Sequence, residues 1–200
     1  MNHITEATEW GSFALVSYIP DPLGSFLHKL REGLPGEDNP QPHITILPPR
    51  PLKLPVEAAS QQAQDILLQF PAFEVELCKV RSFPETQVLY LDLKSGNSAL
   101  HDLHAALNAG DLRDRERFDF LPHLTLGGPV ASRDVRSVRQ QAESLWYAFE
   151  YPRRFLLDEV VFLWLSADGP QSEWVRLWSQ RLHAQEATRA ASAAVTSRTY

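Results

Sequence analysis

Two hundred residues suffice for one ordinary domain, or for one domain assembled from two similar halves. A hydrophobic fraction of 44% supports a packed core and excludes global disorder, while a net charge of −6 argues against a protein that grips long nucleic acid through many phosphate contacts. Cys78 is the single cysteine, which excludes an internal disulfide and a cysteine-rich zinc site; it reads as a small buried side chain.

In chain order, Phe13–Ile19 reads as a strand stopped by Pro20 and Pro22. Asp21 is placed to cap a helix with Pro22 at its first position, and Leu23, Phe26, Leu27 and Leu30 follow at helical spacing. A loop, Gly33–Pro42, leads into a strand containing Pro42-His43-Ile44-Thr45-Ile46, which Pro48, Pro49 and Pro51 are expected to end. Val56–Phe70 is helical in pattern, with Ala59, Ala63, Ile66, Leu67 and Phe70 on its inner stripe. Phe73–Val80 and Gln87–Leu93 alternate as two adjacent strands. Asn97 is a candidate cap for a helix reaching Ala106 or Leu107, with Gly110 just past its end. A charged loop, Asp111–Arg117, precedes Pro122-His123-Leu124-Thr125-Leu126, and its sign-alternating part, Arg113–Arg117, reads as a solvated, partly self-paired lid. Ser132–Trp146 is a helix, Phe155–Leu157 and Val160–Leu165 are strands, and Trp174–Leu182 is a strand or the start of a helix. Residues 1–183 are taken as one two-lobed domain and 184–200 as a frayed or mobile tail. The mixed order implies an α+β fold with antiparallel sheets covered by helices on their outer faces.

The two Pro-His-aliphatic-Thr-aliphatic phrases lie 80 residues apart. Alternation on a strand puts His43 and Thr45 on one face and Ile44 and Ile46 on the other; His123 and Thr125 share a face in the same way. An imidazole beside a hydroxyl, twice over, suits acid–base work on a phosphate held between two such strands. Histidine titrates near neutrality, so one ring can act as base and the other as acid. The threonine hydroxyls can donate to nonbridging phosphate oxygens as charge builds on them. His43 is assigned as the acid and His123 as the base, with the roles exchanged in the reverse direction.

Two His-x-Thr-x strands in one chain of this length resemble the two-histidine (2H) phosphoesterase superfamily, in its bacterial branch of 2′-5′ RNA ligase-like proteins and RNA 2′,3′-cyclic phosphodiesterases. Phe13-Ala14-Leu15-Val16 through Ile19-Pro20 is similar to that family's opening strand. Val161–Leu165 with Ser166, Gly169 and Trp174 is similar to its closing strands. Pro48-Pro49-Arg50-Pro51 departs from the Phe and Gly that often follow the first tetrad, which points to another subgroup and leaves the substrate open. The resemblance implies a bilobed, pseudo-symmetric fold with two antiparallel sheets facing a central cleft, one motif per lobe, and no metal or organic cofactor.

The expected substrate is a nucleoside or short RNA carrying a 2′,3′-cyclic phosphate. The alternatives are a 2′-5′-linked oligonucleotide, another small cyclic phosphate, or a noncatalytic nucleotide-binding module in the same cleft. Arg50 is a candidate phosphate contact, and Tyr18, Trp164 and Trp174 are candidate stacking residues set against an ordinary core role. His101 and His104 lie three apart on a helix but lack further metal ligands, so an exposed helix face is the expectation there. The N-terminal segment has no apolar core of signal-peptide type and no stretch reaches membrane-spanning length, so a cytoplasmic monomer with neither membrane nor duplex partners is expected.

Overall fold

Strand burial sets the sheet. β1 (Ser12–Tyr18) is buried continuously over residues 13–17, with Phe13 and Leu15 in the core cluster; in β2 (His43–Pro51) burial alternates at the start, and Ile44 and Ile46 turn into the core. The remaining strands are β3 (Phe73–Ser82), β4 (Leu89–Ser95), β5 (Leu124–Gly127), β6 (Arg154–Leu157), β7 (Glu159–Leu165) and β8 (Trp174–Arg181). The computed structural model describes residues 10–35, 40–131, 134–167 and 173–184. Residues 185–200 of the expected tail, and Gly169, lie outside the described residues.

The eight strands form one sheet in the order β6-β3-β4-β5-β2-β1-β7-β8, with every ladder between them antiparallel. The two expected sheets are therefore two four-stranded halves, β6-β3-β4-β5 and β2-β1-β7-β8. They meet at a single register pair, Ile44 with Leu124. The segment from Trp174, left open between strand and helix, is the edge strand β8.

Four α-helices, α1 (Leu23–Glu32), α2 (Val56–Leu67), α3 (Asn97–Leu107) and α4 (Val135–Tyr147), and a short 3-10 turn, Gly110–Leu112, complete the described structure. All four contribute to one contiguous core, through Leu23, Leu27 and Leu30, through Ala59, Ala63 and Leu67, through Leu100, Leu103 and Leu107, and through Ala142 and Trp146. The helices also cross between the halves. α1 follows β1 in sequence yet packs on β5, and α3 follows β4 yet packs on β2. Each half thus covers the other's inner strand, which ties the two together beyond one register pair.

Local details refine the sequence reading. Asp21 does serve the start of α1: its Oδ1 accepts from the Ser25 N–H at 2.9 Å and the Ser25 hydroxyl at 2.6 Å, and these bonds lower its carboxyl pKa. The residue ahead of α3 is Gly96, at φ 91°, a left-handed conformation that suits glycine; Asn97 is the first helical residue instead. Cys78 is half-buried rather than buried. The prolines do not end β2, which pairs with β1 as far as Ser12 opposite Pro51. Beyond Ile44 no further β5 partner flanks β2, so a proline lacking an N–H breaks no ladder bond on that side.

Trp146 locks α4 to β3, being fully buried with its Nε1 donating to the Cys78 carbonyl at 2.7 Å. Trp146→Ala is expected to cost about 3–5 kcal/mol in urea unfolding, the usual range for removing a buried aromatic. A loss below about 1 kcal/mol would show that α4 is not anchored there.

Candidate active site

The site follows from the register of β2 with β5. In an antiparallel pair with Ile44 opposite Leu124, the neighbours on either side place Thr45 opposite His123 and His43 opposite Thr125. Ile44, Ile46, Leu124 and Leu126 are all buried on the core face, so the two His-Thr pairs share the other face. There His43, Thr45 and His123 are half-buried and Thr125 is exposed. Directly opposed residues have Cβ atoms about 5 Å apart and diagonal ones about 7–8 Å, so the two imidazoles sit diagonally about a space of phosphate size.

Both rings are held alike. His43 Nδ1 bonds the Gln41 carbonyl at 2.8 Å, and His123 Nδ1 bonds the Leu121 carbonyl at 2.7 Å. A carbonyl only accepts, so Nδ1 carries the hydrogen in each ring and Nε2 is left for chemistry. The entry to β2 is itself tied down, since Pro40 and Pro42 carbonyls accept from Arg31 Nη1 and from the Ile19 N–H. Tyr18 lies opposite His43 in the β1–β2 register, its ring edge-on at 6.2 Å between centroids. Phe83 and Tyr90 flank His123 edge-on at 5.0 and 5.4 Å.

Burial depresses the pKa of both histidines below 6.5, against an opposing pull from each backbone carbonyl. Arg31 and His123 are within electrostatic reach of His43 and add smaller effects in the same downward direction.

A cavity of about 700 Å³ opens on the His123 side of the pair. Thr45 and His123 border it at one end; Phe83, Phe118, Phe120 and Leu121 give it aromatic and aliphatic walls, and Arg115 and Arg117 stand in its lining. His43 and Thr125 fall outside this lining. Phe83 and Tyr90 were missed in the sequence, although the alternation of β4 carries the signal: with Leu89 and Leu91 buried, Tyr90 must share the face of the motif.

Arg50 is placed otherwise than expected. Its side chain is 1% exposed; Nε donates to the Pro48 carbonyl at 3.1 Å, Nη1 to Asn108 Oδ1 at 2.7 Å and the Leu112 carbonyl at 3.3 Å, and Nη2 to Glu116. Four of its five N–H donors are thus given to protein acceptors, so it is held in place by the protein while bordering the cavity. Trp164 packs against the core and donates to the Trp10 carbonyl at 2.9 Å, and Trp174 lies on the edge strand β8, so neither belongs to the cavity lining. His104 is buried rather than exposed, with Nδ1 bonded to the Ile46 carbonyl at 2.8 Å; His101 is exposed. Among the described residues no three His, Cys, Asp or Glu side chains gather as a cation site.

A family model described as the 2′-5′ RNA ligase superfamily matches residues 19–169. The chain belongs to this superfamily. A Geobacillus sp. (strain WCH70) protein named "Putative phosphoesterase" is 31% identical over 108 residues, 50% of this chain and 62% of the relative. A Halalkalibacterium halodurans protein of the same name is 32% identical over 95 residues, 43% of this chain and 55% of the relative. The match spans less than two thirds of either relative's length. Among solved structures, Escherichia coli LigT in its apo form superposes with a TM-score of 0.60 at 14% identity, over 88% of this chain and 99% of LigT. The protein TT0787 of Thermus thermophilus does so at 0.58 and 12% identity, over 88% and 100%. At such identities the likeness is one of fold. No helix among the described residues is long and apolar enough to cross a membrane.

Depressed histidine pKa values have a stability consequence with a definite sign. The unfolded chain binds more protons than the folded one between the folded pKa values and 6.5, so stability rises with pH across that window and is lost as pH falls through it. Ring-proton NMR should give midpoints below 6.5 for both His43 and His123. The double variant His43→Ala/His123→Ala should lose less stability than the wild type between about pH 7 and pH 5. Midpoints at or above 6.5 would show that burial does not dominate these rings.

Proposed function

We propose that the protein is a phosphodiesterase that opens a nucleoside or RNA-terminal 2′,3′-cyclic phosphate by histidine acid–base catalysis, without a metal. The observation that supports this most is the β2–β5 register, which puts two like-oriented His-Thr pairs on one face around a space of phosphate size. His43 and His123 each present Nε2, one to take a proton from an in-line water and the other to return one to the leaving ribose oxygen. Thr45 and Thr125 donate to the nonbridging oxygens, where negative charge grows in the transition state. A P–O bond to the water oxygen replaces one of the two P–O bonds to the ribose, the freed ribose oxygen takes a proton, and the phosphate stays on the product through the other ester bond.

Burial shifts both rings in the same downward direction and so does not separate acid from base. The geometry of the leaving oxygen decides it. With that oxygen toward His43, His43 is the acid and His123 the base, and joining of a 2′-5′ linkage would use the same groups in reverse. The cavity beside His123 and Thr45 takes the nucleoside, its aromatic walls offering faces for a planar base. Tyr18 borders the far side of the pair against His43. E. coli LigT has been crystallised with phosphate, 3′-AMP, NADP+ and ATP, each of which carries a phosphate group but none a 2′,3′-cyclic one.

Incubation with a panel of nucleoside 2′,3′-cyclic phosphates in excess chelator should give nucleoside monophosphates, with a bell-shaped pH profile. Each of His43→Ala and His123→Ala should abolish turnover at unchanged thermal stability. Thr45→Ala or Thr125→Ala should cost about 3 kcal/mol of transition-state stabilisation, the scale of one lost oxyanion donor. Binding of the cyclic nucleotides without turnover would favour the noncatalytic module instead. Activity that a chelator removes and either histidine variant retains would overturn the mechanism.

A further inference from the structure

A group of polar side chains around the buried Arg50 and His104 lies outside the proposed chemistry. Glu116, the carboxylate partner of Arg50, is also 3.5 Å from His104 Nε2. His104 lies flat against Phe120, with ring centroids 3.8 Å apart and planes within 4°. The Asp114 N–H donates to Asn108 Oδ1 at 3.0 Å, the same oxygen that accepts from Arg50, and Lys53 Nζ lies 3.9 Å from Asp114 Oδ1 while donating to the Arg113 carbonyl. The loop that reads in sequence as a self-paired lid is therefore not self-paired. Its acids at 114 and 116 turn toward β2 and its flank, while Arg115 and Arg117 are left exposed in the cavity lining.

This segment needs such ties. Between the short 3-10 turn Gly110–Leu112 and β5 it has no helix or strand of its own, yet residues 114–121 all border the cavity. An ion pair is a poor source of net stability when buried, because desolvation consumes most of its attraction. What a guanidinium supplies is geometry: its donors form a rigid planar fork, here met by Asn108 at the end of α3, by the Leu112 carbonyl in the 3-10 turn and by Glu116 beyond it. Arg50 stands where the fork can act, on the stretch of β2 past its β5 pairing.

We infer that the Arg50–Glu116 pair is a clamp that holds residues 110–121 as a fixed wall of the cavity, making both positioning residues for the organic part of the ligand. The clamp rests on the proposed function only for the identity of that ligand. The His-Thr pairs lie on β2 and at the entry to β5, and the wall reaches them only at its end, through the Leu121 carbonyl that anchors the His123 ring, so loosening the wall should disturb phosphate recognition far less than nucleotide binding.

Full-length wild type, Glu116→Gln and Arg50→Lys are compared by hydrogen exchange and by calorimetric binding of inorganic phosphate and of adenosine 3′-monophosphate. Glu116→Gln keeps the shape and removes the charge; Arg50→Lys keeps the charge and removes the fork. Asn108→Ala is a milder third variant should the buried substitution fail to fold. Amides of 110–121 should exchange faster in the variants while β1, β2 and β5 stay protected. Nucleotide affinity should fall about ten- to a hundredfold, the scale of a misplaced contact surface, with phosphate affinity within about twofold. Unchanged exchange and unchanged nucleotide affinity would overturn the clamp. Equal loss of phosphate and nucleotide would overturn it too, because the strands and not the wall would then be disturbed. A wild type that binds phosphate but no nucleotide would instead contradict the proposed occupant of the cavity, and exchange at 110–121 alone would then decide the clamp.

Discussion

The pairing of Ile44 with Leu124 is the constraint on which the rest depends. An antiparallel pair has a local two-fold axis, and these two residues are equivalent positions of a motif repeated 80 residues apart. The axis therefore carries His43 onto His123 and Thr45 onto Thr125. A slip of one residue would turn the histidines into the core and the isoleucines outward, at the cost of several fully buried aliphatic side chains. Hydrophobic burial on one face of the strands thus fixes the arrangement of the His-Thr pairs on the other.

The surrounding elements reinforce that register without sharing in the chemistry. α1 packs on β5 and α3 on β2, so each half braces the other's motif strand. Gly127 at the end of β5 leaves no room for a side chain, since a Cβ there would meet the Pro35 carbonyl at 2.6 Å; the chain leaving α1 crosses at that point on its way to His43. Carbonyls just ahead of each histidine orient its ring. The same backbone arrangement at both motifs, Nδ1 to the carbonyl two residues earlier, makes the rings alike in tautomer and unlike only in their neighbours.

Much of this was legible in the amino-acid order because it is periodic. Alternation placed His43 with Thr45 and Ile44 with Ile46, and the apolar stripes of α1 and α2 named core residues that the structure buries, Leu23, Leu27, Ala59 and Ala63 among them. What stayed hidden is what depends on distant partners. Arg50 looked like a loop cation because its acceptors Asn108 and Glu116 lie 58 and 66 residues further along. His104 looked exposed because nothing local shows that its helix lies on β2 or that Phe120 covers its ring. The prolines after the first motif looked like a strand end because the sequence does not reveal which edge of β2 lacks a neighbour.

The claim that both motifs serve one phosphate is tested most directly by a crystal structure of the protein with vanadate or inorganic phosphate. One anion is expected, with oxygens about 3 Å from His43 Nε2 and from His123 Nε2, and with the hydroxyls of Thr45 and Thr125 turned to it from opposite sides. An anion bound by one motif alone, or one seated among Arg115 and Arg117 away from both rings, would contradict it.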